Sequence, residues 1–260
     1  MTPSPRIHSF AHPTQSYYRE DCLTPVRRRD PPERISHRGA HQTHPENSLA
    51  AFERAIDLGA DAIELDVHAT SDGIVVVHHD PVVHARHPQK PSRRAIAEVA
   101  FAELEEFPLA DGWQIPTLAE TLETVGDRAI VYVEIKAPEI EALVTRCIRD
   151  SGATCAVHSF DHRIVKIVKS IFPAIRTGIL ENSRHVDPAA ALVAVAAEDL
   201  WQAVDTIDEE TVQSAHSVGA RVIAWTANDP SQWNTLYALG VDGICTDRIA
   251  ELATFDWQVR

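Results

Sequence analysis

The chain has 260 residues, with 24 Lys and Arg residues against 38 Asp and Glu residues, so its formal net charge is −14. This acidic balance argues against a nucleic-acid partner, because binding to duplex phosphate requires a basic face. With 44% apolar and 24% charged residues, the composition is that of a globular protein and excludes wholesale disorder. No apolar run approaches the roughly 18 residues of a membrane span, so we expect no stable membrane insertion.

Residues 1–33 differ in composition from the rest of the chain. They are rich in Pro, Arg, His and Ser and show neither helical nor strand periodicity, so we interpret them as an extended or disordered N-terminal arm. Phe10, Tyr17 and Tyr18 would allow this arm to pack on a second subunit. A homo-oligomer formed through the arm is therefore one expectation, and residues 34–260 form the predicted folded domain.

The cysteines indicate a reducing environment. The chain has four of them, at positions 22, 147, 155 and 245, and none forms a C-x-x-C pair. So few cysteines in a chain of this size are not typical of a disulfide framework. No basic segment followed by an apolar segment is visible at the start of the sequence, so a secretory signal is not expected. We therefore predict a cytoplasmic location.

From Arg34 onwards, short apolar runs alternate with amphipathic stretches. The predicted strands lie at 35–38, 62–68, 74–79, 129–136, 155–160, 176–180, 201–204, 221–226 and 243–246. The predicted helices lie at 48–58, 117–125, 140–150, 162–171, 209–217 and 231–238. This alternation is typical of a parallel sheet covered by helices. It predicts an α/β fold with one TIM (β/α)₈ barrel rather than a doubly wound sheet, since no G-x-G-x-x-G motif follows the first strand.

One predicted strand exceeds the eight of a regular barrel. The second and third strands meet at the short segment HATSDGI, which contains an Asp-Gly turn signal. A parallel crossover needs about a dozen residues or more, and this segment is too short for one. Residues 62–79 therefore predict a β-hairpin, and we expect the barrel to be irregular there.

Two of the predicted strands carry charged residues on one face. Residues two apart in a strand share a face, so Glu64 and Asp66 project together in AIELDV, as do Glu134 and Lys136 in AIVYVEIK. The residues between them are apolar and suit the helix-facing side, so the charged side chains are predicted to point into the barrel. Clustered carboxylates need a cation or a proton, and oxygen ligands favour a hard ion such as Mg²⁺ or Ca²⁺. For each strand taken alone, a structural ion pair is the alternative.

Histidines follow two of the predicted strands. His37 and Arg38 end the first strand, and His78 and His79 end the third. The hairpin register brings His79 towards Glu64. Histidine acts as a general base when neutral and as a general acid when charged. Two histidines on opposite sides of a reacting phosphorus would deprotonate the nucleophile and protonate the leaving alkoxide.

The segment HRGAHQTHPENSLAAFERAIDLGADAIELDVHATSDGIVVVHHD resembles the N-terminal motif set of the glycerophosphodiester phosphodiesterase family. The shared elements are H-R-G, P-E-N, A-F, G-x-D-x-I-E-x-D-V, T-x-D-G and H-D, in that order. The resemblance continues through IPTLAETL, VEIK, SFD, AWTAND and GVDGICTD, and it covers about residues 34–250. Each motif is short, but the ordered set is highly specific.

The resemblance implies a TIM barrel that hydrolyses a small-molecule glycerophosphodiester to glycerol 3-phosphate and an alcohol. It implies one divalent metal ion, Mg²⁺ or Ca²⁺, with Mn²⁺ as a further candidate. It implies that the metal is bound by Glu64, Asp66 and Glu134. It also implies that acid–base catalysis is carried out by His37 and His79, and that the phosphate is bound by Arg38 and Lys136.

Other residues are predicted to lie at the site without a catalytic role. The predicted lining residues are Glu46, Asn47, His158, Phe160 and Trp225. Three further histidines, His41, His44 and His68, are expected nearby. Asp247, in CTD, is expected either to hold a site residue or to cap a helix.

Three alternative functions fit parts of the pattern. A related barrel phospholipase, acting as a lysophospholipase D or like a phosphoinositide phospholipase C, would require a lipid-facing surface, and no amphipathic basic helix stands out. A catalytically silent barrel acting as a binding protein would be indicated by a missing carboxylate or histidine, and the full set is present. A lyase is the most distant alternative.

Overall fold

The computed structural model describes residues 30–85 and 92–258. The strands, in chain order, are β1 (Glu33–His37), β2 (Ala62–Ala69), β3 (Val75–Val77), β4 (Val82–Ala85), β5 (Ser92–Ala95), β6 (Ile130–Ile135), β7 (Cys155–Ser159), β8 (Arg176–Glu181), β9 (Asp199–Ala203), β10 (Arg221–Trp225) and β11 (Gly243–Thr246). The α-helices are α1 (Leu49–Asp57), α2 (Leu118–Val125), α3 (Glu141–Ser151), α4 (His162–Ile171), α5 (Pro188–Val195), α6 (Glu209–Ser217), α7 (Pro230–Leu239) and α8 (Ile249–Ala253). Residues 1–29, which make up most of the predicted arm, lie outside the described residues, so the arm and an oligomer formed through it stay predictions.

Within the described residues, eight parallel strands close into a barrel. They are joined side by side in the order β1, β2, β6, β7, β8, β9, β10 and β11, and β11 pairs with β1 again. Helices follow the strands around the outside, so the predicted TIM barrel is confirmed. Strand β1 starts at Glu33, one residue before the predicted start of the domain.

The irregularity predicted for residues 62–79 is also present. Strand β3 runs antiparallel to β2, with Val67 opposite Val77 and Ala69 opposite Val75. A second antiparallel pair, β4 and β5, follows it and was not predicted. Apolar and polar residues do not alternate regularly in VVHA and SRRA, so neither segment stands out as a strand in the sequence. The pair packs on a small separate core that includes Val83.

Local capping signals set the starts of several helices. Ser48 accepts a hydrogen bond from the Ala51 amide at the start of α1, and Thr117 and Glu120 form a capping box at the start of α2. Helix α5 was missed, because PAAALVAV is apolar on every side and has no helical period. The available signal was Asp187 followed by proline, since this aspartate caps the helix.

No helix in the ranges 30–85 and 92–258 is long and apolar enough to cross a membrane.

The barrel has separate inner and outer apolar layers. Alternate residues of each strand pack outward against the helices, and the others fill the interior. The interior layer consists of Ile35, Ala62, Tyr132, Ala156, Leu180, Trp201, Ile223 and Cys245. This layer fills the middle of the barrel as an apolar floor, and the functional groups lie directly above it, towards the carboxyl ends of the strands.

Candidate active site

Strand periodicity places a polar layer directly above the apolar floor. Four polar residues each lie two positions beyond an interior apolar residue, towards the carboxyl end of the same strand. The pairs are Ile35 with His37, Ala62 with Glu64, Tyr132 with Glu134, and Ala156 with His158. The carboxyl ends of the strands are where TIM barrels carry their active sites.

The two charged strands predicted from the sequence are direct neighbours. Asp66 of β2 lies opposite Glu134 of β6. Lys136 follows β6, and its Nζ atom lies 2.9 Å from Glu134 Oε1 and 3.3 Å from Asp66 Oδ1. Asp66 and Glu134 therefore share the ammonium group of Lys136 at the barrel opening.

Glu64, Glu134 and His158 form a buried set of metal-ligand atoms. Each offers one atom, and these atoms all lie within 4.8 Å of one another. Burial, and then the charge of Asp66, raise the pKa of Glu134 to about 7. A carboxylate that resists ionisation next to other acidic groups is one that a bound cation would stabilise. The donor set therefore fits a divalent ion.

His158 was predicted only as a lining residue. Its Nε2 atom lies 3.7 Å from Glu64 Oε1, and its Nδ1 atom is buried without a hydrogen-bond partner. The ring stacks on Trp201, with ring centroids 4.3 Å apart. The signal that would have grouped it with the carboxylates is its strand position, two residues after an interior alanine.

Asp66 has a different environment from the two glutamates. Its Oδ2 atom lies 3.2 Å from Arg38 Nε and accepts a hydrogen bond from Asn47 Nδ2 at 2.9 Å. Burial works to raise the pKa of Asp66, but Arg38, Lys136 and the Asn47 amide together lower it. The carboxylate is therefore ionised and paired with cationic side chains here, and its role as a metal ligand stays a prediction.

His37 and Arg38 are adjacent in sequence, yet both reach the same site. A regular strand would point them in opposite directions. Arg38 has a φ of 55°, and Gly39 a φ of 80°, so the chain leaves the strand at this point and turns the guanidinium inward. The turn also brings Arg38 Nη1 to 3.2 Å from Glu46 Oε1.

Replacing Gly39 by Ala is expected to destabilise the protein and disturb this turn. A Cβ atom at this position would lie 2.7 Å from the Ala51 carbonyl carbon, and the positive φ alone costs a non-glycine residue about 1–2 kcal/mol. Gly219 is the control, since its φ of 78° is similar but nothing lies within 4 Å of an added Cβ. Urea unfolding should show a larger loss for Gly39→Ala than for Gly219→Ala. Equal losses would contradict the contact argument.

The hairpin brings the second predicted catalytic histidine to the site. The His78 amide donates to the Asp66 carbonyl at 2.9 Å, which extends the β2–β3 pairing towards the barrel opening. The next residue, His79, has its Nδ1 atom 2.8 Å from Asp80 Oδ1, and its carbonyl lies 3.1 Å from His68 Nε2. The ring and the backbone of His79 are therefore each held by a hydrogen bond at the edge of the site.

Most of the predicted site residues meet around one small cavity of about 80 Å³. Its lining comprises His37, Arg38, Glu64, His79, Glu134, Lys136, His158, Phe160, Leu180, Trp201, Trp225 and Cys245. Phe160 and Trp225 contact each other edge to face at 5.4 Å and form its apolar side. Glu46, Asn47 and Asp66 are not among the lining residues. Glu46 contacts Arg38, and Asn47 donates to Asp66.

Known proteins are similar to this chain in sequence and in fold. The profile of the family described as "Glycerophosphoryl diester phosphodiesterase family" matches residues 37–251. The glycerophosphodiester phosphodiesterase of Caldanaerobacter subterraneus subsp. tengcongensis is 33% identical over 231 residues, which cover 82% of this chain and 93% of that protein.

Two solved structures have the same fold. The glycerophosphodiester phosphodiesterase of Thermotoga maritima superposes with a TM-score of 0.74 at 27% identity, covering 85% of this chain and 97% of that one. An Oleispira antarctica phosphodiesterase, solved with the product sn-glycerol-3-phosphate, gives a TM-score of 0.77 at 24% identity over 85% of this chain and 95% of its own. Since the family profile spans the barrel from His37 to Glu251, the chain belongs to the glycerophosphoryl diester phosphodiesterase family.

Proposed function

We propose that the protein hydrolyses glycerophosphodiesters to glycerol 3-phosphate and an alcohol, using one divalent metal ion and two histidines. The observation that carries the proposal is the content of one cavity. It collects two buried carboxylates, three histidines, an arginine and a lysine at the carboxyl end of the barrel. Family membership supports the same reaction. A small-molecule substrate and a cytoplasmic location go with this proposal.

Glu64 and Glu134 would hold the metal ion, and either Asp66 or His158 would complete the set. When bound, the ion supplies positive charge that stabilises the negative charge growing on the phosphoryl oxygens. A set completed by Asp66 contains only oxygen ligands and favours Mg²⁺ or Ca²⁺. A set completed by His158 adds an imidazole nitrogen, a ligand that suits transition-metal ions better than Mg²⁺ or Ca²⁺.

Arg38 and Lys136 would bind the phosphodiester anion. The arginine offers two parallel N–H donors to a phosphate, and the lysine acts as a point charge. Both side chains line the cavity and contact Asp66, so they lie next to each other in the site.

His37 and His79 would transfer the protons of the reaction. One removes a proton from the attacking hydroxyl as a new P–O bond forms. The other donates a proton to the alcohol oxygen as the old P–O bond breaks. If the attacking hydroxyl is the glycerol 2-hydroxyl rather than water, a cyclic phosphate forms first, and water then opens it to glycerol 3-phosphate. Both histidines line the cavity, so both would contact a substrate bound there.

The release of products across several substrates tests the proposal. The protein is incubated, with and without EDTA, with glycerophosphocholine, glycerophosphoethanolamine, glycerophosphoinositol or a lysophospholipid. Glycerol 3-phosphate is measured for the three diesters, and lysophosphatidic acid and the free alcohol are measured for the lysophospholipid. We expect glycerol 3-phosphate from at least one water-soluble diester, and none after EDTA. Activity only on the lysophospholipid would favour the phospholipase, and no hydrolysis of any substrate would favour the binding protein.

Divalent cations are expected to stabilise the fold independently of activity. At 100 times its Kd, a ligand that binds only the folded state adds about 2.7 kcal/mol, or several degrees in Tm for a chain of this size. Thermal unfolding with Mg²⁺, Ca²⁺ or Mn²⁺ should therefore show a rise for the wild type that is absent in Glu134→Gln. Glu181→Gln is the control, because Glu181 is also buried at a strand end but contacts His162 and His185 instead. A rise of equal size in Glu134→Gln would contradict the assigned site.

A further inference from the structure

A hydrogen-bonded carboxylate outside the predicted catalytic set contacts His37 directly. Asp247 follows β11, and its Oδ1 atom lies 2.6 Å from His37 Nδ1 and 2.9 Å from His41 Nε2. An ionised carboxylate only accepts hydrogen bonds, so both ring nitrogens donate to it. His37, at the end of β1, and His41, in the turn after it, are thus joined to one oxygen of Asp247.

The other side of the Asp247 carboxylate is fixed as well. Asn228 Nδ2 donates to Asp247 Oδ2 at 2.5 Å, and Asn228 Oδ1 accepts from the Asp247 amide at 2.8 Å. Thr246 Oγ1 donates to the same Asn228 oxygen at 3.0 Å. The carboxylate is therefore held through both its oxygens and its own backbone, and it has little freedom to turn away from His37.

The charges around this contact are consistent with an ionised Asp247. Burial works to raise its pKa, but the hydrogen bonds from His37, His41 and Asn228 lower it strongly. Burial lowers the pKa of His37, whereas the Asp247 hydrogen bond and the Glu64 charge raise it, and the net direction is upward. Asp247 thus stays an acceptor whether His37 is charged or neutral.

The two nitrogens of His37 face different surroundings. With Nδ1 engaged by Asp247, Nε2 lies on the opposite edge of the ring, 3.9 Å from Glu64 Oε2, at the cavity. We infer that Asp247 is a positioning residue that keeps a proton on His37 Nδ1, so that Nε2 is the nitrogen that exchanges a proton with the substrate. This inference rests on the proposed function and adds to it a residue and an atom.

The alternative is that Asp247 only stabilises the loops it joins. The chain contains a matched pair for comparison, since His216 Nε2 lies 2.8 Å from Asp242 Oδ2, between α6 and the start of β11. That pair also joins a histidine to an aspartate across a long stretch of chain, but it is not part of the cavity lining. Asp242→Asn therefore controls for the loss of an aspartate–histidine contact as such.

The experiment combines kinetics with ¹⁵N NMR of histidine-labelled protein. The substrate is the best glycerophosphodiester from the release assay, and the His37 resonances are assigned with His37→Gln. In the wild type, we expect neutral His37 to carry its proton on Nδ1. In Asp247→Asn, we expect the Nε2-protonated tautomer to appear and kcat to fall about 10²- to 10⁴-fold, with KM within threefold of the wild type. Asp242→Asn should keep both the tautomer and kcat.

Several results would overturn the inference. They are a wild-type His37 protonated on Nε2, an Asp247→Asn variant that keeps the Nδ1 proton, or one that keeps kcat within threefold. If Asp247→Asn does not fold, the wild-type tautomer decides alone. A wild type that hydrolyses no glycerophosphodiester would refute the proposed function, whereas the NMR result would still report whether Asp247 sets the tautomer.

Discussion

Replacing Glu64 by Gln is expected to lower kcat about 10³-fold or more while leaving the fold intact. The amide has nearly the same volume but cannot supply the negative charge that a divalent cation requires. Loss of one preorganised electrostatic contact at a reacting centre costs about 10²–10³ in rate, and loss of a metal ion removes more. The fold should persist or gain stability, because Glu64 is one of the charges that raise the pKa of Glu134. Steady-state kinetics and thermal unfolding measure the two effects.

Glu181→Gln is the matched control for this substitution. Glu181 is similarly buried at the end of β8, and its Oε1 atom lies 2.7 Å from His185 Nε2, outside the cavity. We expect it to keep activity within threefold of the wild type. Full activity in Glu64→Gln would defeat the metal-binding proposal.

Asp66→Asn and His158→Ala then identify the third ligand. The variant whose Kd for Mn²⁺ or Ca²⁺ rises more has lost the ligand. Asp66→Asn should also raise KM, because Arg38 and Lys136 lose the carboxylate that positions them. For Asp66, the metal Kd therefore reports on metal binding, and KM reports on phosphate binding.

Replacing His37 or His79 by Ala is expected to lower kcat about 10²- to 10⁴-fold in each case, the usual contribution of a proton-transfer group. Both side chains line the cavity, from opposite ends of the β1–β2–β3 part of the sheet. Because the two act in one reaction, the double variant should lose much less than the product of the single losses. Steady-state kinetics on the same substrate measures all three variants.

His216→Ala is the control for a lost histidine contact, since His216 bonds Asp242 away from the cavity. It should keep kcat within threefold. A loss under threefold for His37→Ala or His79→Ala would argue that the residue packs the site without transferring a proton. Tm values for the variants show whether stability changes in parallel.

Strand parity alone predicts much of the arrangement of the site. The rule that residues two apart share a face put Glu64, Asp66 and Glu134 on the inner side of the barrel, and the register between β2 and β6 brings them together. The turn signal in HATSDGI likewise predicted the hairpin that carries His79. Local patterns suffice here because side-chain direction in a strand is a property of the backbone.

The same rule was insufficient where the backbone leaves regular geometry. Parity separates His37 from Arg38, and only the left-handed conformation of Arg38, followed by Gly39, allows both to face the cavity. Helix α5 was missed for a related reason, since an all-apolar segment has no period to read. Such features depend on single dihedral angles or on packing from all sides.

The sequence by itself determined the barrel, the hairpin, the family resemblance and the identity of the charged residues at the strand ends. Only the tertiary structure decided which partners those residues have. Asp66 lies among cations, His158 joins the two glutamates, and Asp247 reaches His37 across 210 positions of the chain. The physical reason is that side-chain direction follows from local backbone geometry, whereas hydrogen bonds and charge pairs follow from the closure of the barrel, which brings its first and last strands side by side.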